Sequence, residues 1–231
     1  MTILHSPIRQ VIIVLLTGGV FASFGCGSGD KTQVKLRSMD ATPQESEIDV
    51  SLDGNSFASA VAYGTASDYS SVGSGSHTLQ VYPPGVATAY IDQTISLTSG
   101  DKYTVLSANV LSSANALLLV DENSTPASNT AELRIVNASP ALGTVDVYIV
   151  SPGTNLSTVS PTISGLAFEA VSTYQSLTAK TAYEVYFTLK NQKTAQLDSG
   201  PVTYTNAEIR TMVALNGEAG GYTFAVLDDL N

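Results

Sequence analysis

Few side chains in this 231-residue sequence have the chemistry for catalysis or metal binding. His77 is the one histidine in the body of the chain. A serine hydrolase would need that imidazole hydrogen-bonded to both a nucleophile and an orienting carboxylate. Serines are plentiful, but no Gly-x-Ser-x-Gly elbow frames any of them. The expectation for His77 is therefore a half-buried strand residue, with hydrolysis as the chemical alternative. Two acidic pairs, Asp121-Glu122 and Asp228-Asp229, are expected as solvated strand ends. Weak calcium binding and glycoside hydrolysis are their alternatives. Calcium wants six to eight oxygens from a shaped loop, and no Asp-x-Asp-x-Asp-Gly run occurs. Hydrolysis needs a cleft that spaces two carboxylates, to which nothing in the sequence points. The single cysteine, Cys26, precludes an intrachain disulfide, and with so few histidines no zinc site of usual composition can be assembled. No cofactor is implied, and the chain reads as non-enzymatic.

Four charged residues recur as a set. Leu36-Arg37 returns as Leu133-Arg134, Ala41-Thr42-Pro43 as Ala138-Ser139-Pro140, and Ile48-Asp49-Val50 as Val145-Asp146-Val147, all at an offset of 97 residues. Near the far end Val120-Asp121-Glu122 matches Leu227-Asp228-Asp229 at an offset of 107. The second copy thus carries about ten extra residues, assigned mostly to Ser151–Thr162. Arg37 with Asp49, and Arg134 with Asp146, are expected to form cross-strand ion pairs on the faces opposite each core, worth under about 1 kcal/mol if exposed. The inserted segment is the one asymmetry between copies and the best place for a partner-specific contact.

The elements that must position these residues are strands. Ile48, Val50 and Leu52 alternate with Asp49 and Ser51, and His77-Leu79-Val81 and Tyr183-Val185-Phe187 follow the same period of two. Asp53-Gly54-Asn55 supplies the turn chemistry of a hairpin, and further turns are signalled at Gly73-Ser74-Gly75, Pro83-Pro84-Gly85 and Ser99-Gly100-Asp101. About seven short strands per copy at this spacing predict an all-β protein of two tandem immunoglobulin-like antiparallel β-sandwich domains, 33–122 and 131–231, joined by the polar linker 123–130. A repeat this long should give each copy its own core.

Composition narrows the partners. Ten basic against 20 acidic residues give a net charge of −10, a field that repels a phosphate backbone, so nucleic acid is excluded as a partner. Eleven Tyr, six Phe and no Trp leave a protein or glycan partner open, with most tyrosines read as packing residues.

At the amino terminus, Arg9 precedes an apolar run from Val11 to Phe24. As a helix that run rises about 21 Å, short of the roughly 30 Å hydrocarbon core, which describes a secretory signal over 1–25 and not a membrane span. Ser23-Phe24-Gly25-Cys26 resembles the lipobox of bacterial lipoproteins, although Phe24 and Ser23 depart from its usual residues. That resemblance implies acylation at Cys26, a flexible tether over 26–32 and, with no Asp after the cysteine, an outer-membrane or cell-surface location. Ordinary cleavage after Gly25, giving a soluble periplasmic binding protein, is the alternative.

Leu133-Arg134, Ala138-Ser139-Pro140 and Val145-Asp146-Val147-Tyr148 together resemble the opening of the domain-of-unknown-function family 4397. Leu36 to Leu52 is similar to it more weakly, with Ser51 where the second copy has Tyr148. The resemblance implies exported bacterial β modules, often in tandem, with no settled biochemical activity.

Overall fold

In outer strands such as Glu47–Leu52 and Ile91–Leu97, buried apolar residues alternate with more exposed polar ones, as a sheet with one covered face requires. The computed structural model describes residues 33–230, which form one compact unit of sixteen strands. The first module holds β1 (Gln33–Ala41), β2 (Glu47–Leu52), β3 (Asn55–Ala62), β4 (Ser70–Gly73), β5 (Gly75–Tyr82), β6 (Ile91–Leu97), β7 (Lys102–Ala108) and β8 (Asn115–Asp121). The second holds β9 (Thr130–Asn137), β10 (Val145–Val150), β11 (Ile163–Leu166), β12 (Gln175–Thr178), β13 (Ala182–Leu189), β14 (Ala195–Thr203), β15 (Ile209–Asn216) and β16 (Tyr222–Asp228). Thr130, expected as the last linker residue, already opens β9. The signal, the Cys26 site and most of the tether fall outside the described residues.

Each module is a β-sandwich of two four-stranded sheets, and the strand orders repeat. Sheets β3-β2-β5-β6 and β4-β1-β7-β8 in the first module correspond to β11-β10-β13-β14 and β12-β9-β15-β16 in the second. All pairings between named strands are antiparallel except β1 with β7 and β9 with β15, which are parallel. The hairpin between β2 and β3 turns at Asp53 and Gly54, both at positive φ (52° and 75°), so the Asp53-Gly54 signal is a tight turn as expected. In the second module the same connection is the long segment between β10 and β11, where the insertion lies. There Leu156 tucks its side chain inward and Asn155 accepts a hydrogen bond from the Ser157 N–H.

Three apolar clusters show how the sheets stack. One lies inside the first module and joins Leu36, Ile48, Leu79 and Val105 across its two sheets. A second does the same in the second module through Leu133, Val147, Phe187 and Met212. The third is shared: Met39, Ala41, Leu106 and Leu119 of the first module pack on Val136, Ala138, Val213 and Leu227 of the second. The molecule is therefore four sheets deep, with β4-β1-β7-β8 and β12-β9-β15-β16 facing one another in the middle. Strands of these inner sheets are covered on both faces, which is why β7 is buried at six of its seven positions and does not alternate. Gly64 marks the closeness of the contact: its φ is +73°, and a Cβ there would sit 3.3 Å from Leu215 Cδ1 of the other module.

Two modules that share a core should unfold together. Leu106→Ala removes a fully buried side chain from the shared cluster and is expected to cost about 2–5 kcal/mol. A denaturant melt followed by tyrosine fluorescence should show one transition, shifted as a whole. Two separated transitions, with only the first module affected, would contradict the shared core.

Candidate functional site

Between the inner sheets, where apolar packing gives way at one end, two arginines and two aspartates are buried together. Arg37 and Arg134 occupy equivalent places on β1 and β9, each on the face turned away from its own module's core. Asp121 ends β8 and Asp229 follows β16. All four are nearly inaccessible, at 5, 3, 3 and 0% exposure respectively.

Each guanidinium makes a hydrogen bond from all three of its nitrogens. Arg37 donates Nε–H to Thr104 Oγ1 at 2.8 Å, Nη1–H to the Asp228 carbonyl at 2.6 Å and Nη2–H to Asp229 Oδ1 at 2.5 Å. Arg134 repeats the set with Thr211 Oγ1 at 2.9 Å, the Val120 carbonyl at 2.7 Å and Asp121 Oδ1 at 2.5 Å. The second oxygen of each aspartate accepts a threonine and a tyrosine: Thr104 and Tyr69 donate to Asp121 Oδ2, while Thr211 and Tyr174 donate to Asp229 Oδ2. The same tyrosines lie over the guanidinium planes, Tyr69 on Arg37 at 4.4 Å and Tyr174 on Arg134 at 4.7 Å. Lys102 adds a hydrogen bond to the Asp229 carbonyl. The contacts are reciprocal, so the modules meet about a pseudo-two-fold axis.

Burial dominates the titration of this cluster. It pushes the Tyr69 and Tyr174 hydroxyls well above the usual phenol range, and the neighbouring Asp121 and Asp229 carboxylates push in the same direction. Burial also raises the Asp229 carboxyl, against the pull of Arg134 and the Thr211 hydroxyl. Lys102 is lowered by burial and by the Arg37 charge.

Several expectations change. Arg37 does not pair with Asp49, nor Arg134 with Asp146, because consecutive strands β1 and β2, like β9 and β10, belong to different sheets. Asp49 instead accepts the Ala60 N–H, at 2.9 Å. Asp146 accepts the N–H groups of Gly165 and Asn191 and the Ser164 hydroxyl. Burial alone would raise the Asp146 carboxyl, but those donors hold it below the usual range. Nor are both acidic pairs solvated strand ends, since Asp121 and Asp229 are the interface anions. The threonine, tyrosine and aspartate partners place Asp121 opposite Asp229, an offset of 108, so the match at 107 was one residue out of register. A slip of one residue sends a strand's side chains to the opposite face. Tyr69 and Tyr174, separated by 105 residues, carry a signal that a gapped self-alignment would expose.

His77 shares no site with these groups. One ring nitrogen lies 2.7 Å from Asp53 Oδ2 and the other 3.0 Å from the Gly73 carbonyl, so both are engaged across the turns at the end of its sheet. The hydrogen bond from His77 draws the Asp53 carboxyl below its ordinary value. Among the described residues no three His, Cys, Asp or Glu side chains converge to hold a metal, and no helix is long and apolar enough to cross a membrane.

A second buried carboxyl, Asp40, lies on the inward face of β1. Its Oδ1 accepts the Thr42 N–H at 2.8 Å and the Ser107 hydroxyl at 3.2 Å, while Oδ2 is buried without a partner among the described residues. Burial lifts this group to about 6, against the pull of those donors. The second module has Asn137 here, whose amide donates to the Gly143 and Leu166 carbonyls.

Fold and site together define a double β-sandwich whose modules are held as one body by reciprocal Arg–Asp pairs. Residues 34–148 of the chain belong to the DUF4397 family, a domain of unknown function. No curated protein matches the chain. Among solved structures it is similar to a carbohydrate-binding module (family CBM26) of Eubacterium rectale Amy13K in complex with maltoheptaose, at 10% identity and a TM-score of 0.26, covering 84% of this chain and 96% of that one. The Bacillus anthracis TIE protein follows at 12% and 0.25, covering 85% and 43%. A leucine-rich repeat protein from Bacteroides thetaiotaomicron stands at 13% and 0.21, covering 78% and 25%. At such scores no ligand or activity passes from them to this chain.

Two substitutions test the energetics of the buried charges. Arg37→Met leaves Asp229 buried without its short ion pair and is expected to cost about 3–5 kcal/mol in a denaturant melt. A change below about 1 kcal/mol would mean that the pair is solvated. For Asp40, the folded chain keeps its proton between about pH 4, where the unfolded carboxyl ionises, and about pH 6. Its contribution is therefore most favourable below about pH 4 and is lost as pH rises to about 6. Asp40→Asn should raise stability at pH 7 by on the order of 2–3 kcal/mol and flatten the pH dependence between those limits, as thermal melts across that range would report.

Proposed function

We propose that this chain is a non-enzymatic lipoprotein of the bacterial cell envelope, a rigid binding or spacer module tethered through acylated Cys26. The observation that carries this reading is the use of the paired polar residues. Both Arg–Asp–Thr–Tyr sets are turned inward and hydrogen-bonded to one another, so they fix the geometry of two modules and are spent within the contact. A body four sheets deep, held by a continuous core and by buried charges, suits a part that presents surfaces at a fixed separation.

The tether supplies the location. Lipidation contributes about 0.8 kcal/mol per buried methylene, and two or more acyl chains give stable anchoring while the sandwiches remain outside the bilayer. The excess of acidic residues keeps such a body from associating with anionic lipid and nucleic acid.

Expression in a bacterial host with labelled palmitate tests the reading. The wild-type chain should take up label and sediment with the membrane fraction, whereas Cys26→Ala should lose the label and the membrane association. An unlabelled, soluble wild-type chain with an unmodified mature amino terminus would overturn the lipoprotein assignment.

A further inference from the structure

We infer that the open edge of β16 is a docking site for an extended polypeptide strand of a partner protein, one with small apolar residues in its middle and basic residues flanking them. β16 is an edge strand, hydrogen-bonded only to β15. Ladder bonds at its two ends fix which of its backbone groups face outward. Asp229 N–H donates to the Ile209 carbonyl at 2.9 Å, and Gly217 N–H donates to the Gly221 carbonyl at 3.0 Å. Between these ends the register pairs Thr211 with Leu227, Val213 with Ala225 and Leu215 with Thr223. Antiparallel ladders alternate, so these are the bonded pairs, and the N–H and C=O of Phe224, Val226 and Asp228 point away from β15. The Asp228 carbonyl accordingly meets Arg37 Nη1. The backbone groups of Phe224 and Val226 meet no partner among the described residues.

The equivalent edge in the first module is covered. There the Gln93 side chain donates to the Ala116 carbonyl at 3.1 Å and accepts its N–H at 3.3 Å, standing in for a neighbouring strand. Ala116 corresponds to Phe224, and no side chain among the described residues performs that service for β16. Proteins ordinarily blunt an exposed edge, because unpaired backbone groups template another strand. An edge left regular beside a cleft is the arrangement that strand addition uses.

The cleft is present. Two adjoining cavities of about 620 and 490 Å³ share Gly64 and follow β16 from Thr223 to Asp228, with the segment 63–69 as the opposite wall. Six residues of strand span about 17 Å. The middle is apolar, with Val226 44% exposed. Asp68 lines one cavity and Glu218 the other, with no cation paired to either among the described residues. That charge favours lysine or arginine at the flanks of the incoming segment.

This inference gives the binding arm of the proposed function a surface. It is independent of the tether, because its readout is made on detergent-solubilised full-length protein. The probe is a fluorescent peptide of alternating valine and threonine with a lysine at each end, followed by anisotropy. The wild-type chain should bind it saturably. Val226→Pro, which removes an outward N–H at an edge position where proline is tolerated, should weaken binding roughly tenfold without lowering the melting temperature. Val226→Thr, which keeps the N–H, should bind as wild type. If the proline variant fails to fold, hydrogen exchange on the wild type decides: added peptide should slow exchange at Phe224 and Val226. Equal binding by folded Val226→Pro, no saturable binding by the wild type, or unchanged exchange at both amides would overturn the inference.

Discussion

Two guanidiniums and two carboxylates, removed from water between two sheets, hold this structure to a single arrangement. Each ion costs several kcal/mol to desolvate, and the mutual attraction offsets that only where every donor and acceptor is met. Here each of the three guanidinium nitrogens makes a hydrogen bond, to a threonine, a carbonyl and a carboxylate, and each carboxylate accepts from the arginine, the threonine and a tyrosine. The partners come from β1, β7, β8 and the segment before β4, and from their counterparts. The network therefore closes only when both modules are folded and docked. Burial of Met39, Leu106, Val213 and their neighbours supplies the attraction, which is non-directional. The charges supply register, because a docked state shifted by one residue would strand four ions without partners.

The outer layers were legible because only one of their faces is buried. Alternation in β2, β5 and β13, the Asp53-Gly54 turn and the location of the insertion all follow from local pattern. Inner layers obey a different rule. β1 reads Gln-Val-Lys-Leu-Arg-Ser-Met-Asp-Ala, and its polar residues look like a solvent face until a second module is placed against them. The same residues misled the pairing of Arg37 with Asp49, since the true partner lies 192 positions away. Tyr69 and Tyr174 escaped notice for another reason. They sit in connections rather than strands, and they are conspicuous only once the offset has changed from 97 to 105 across the inserted segment.

Several differences between the modules lie outside the buried charge network. Asp40 stands against Asn137, His77 against Tyr183, a two-residue turn against a twelve-residue connection, and the Gln93 staple against a bare edge. The buried polar set of the contact keeps its identities, arginine, threonine, tyrosine and aspartate each recurring, while its apolar positions vary, as Met39 against Val136 and Leu106 against Val213. Constraint of this kind follows from geometry. A group in the contact must suit the other module as well as its own, whereas an outer-layer group answers only to its local neighbours.

The reciprocal contact also means that each module carries both halves of the fastening, an arginine and an aspartate bridged by one threonine. One surface is used twice, which is the signature of a symmetric dimer rather than of two unlike domains. The chain is in effect a dimer written as a single polypeptide. Its linker replaces a concentration-dependent encounter with an intramolecular one, so assembly no longer depends on how much protein is present. Joining the copies also frees them from being identical. A homodimer must repeat every feature on both sides, but this molecule can show one outer sheet to one neighbour and a different outer sheet to another.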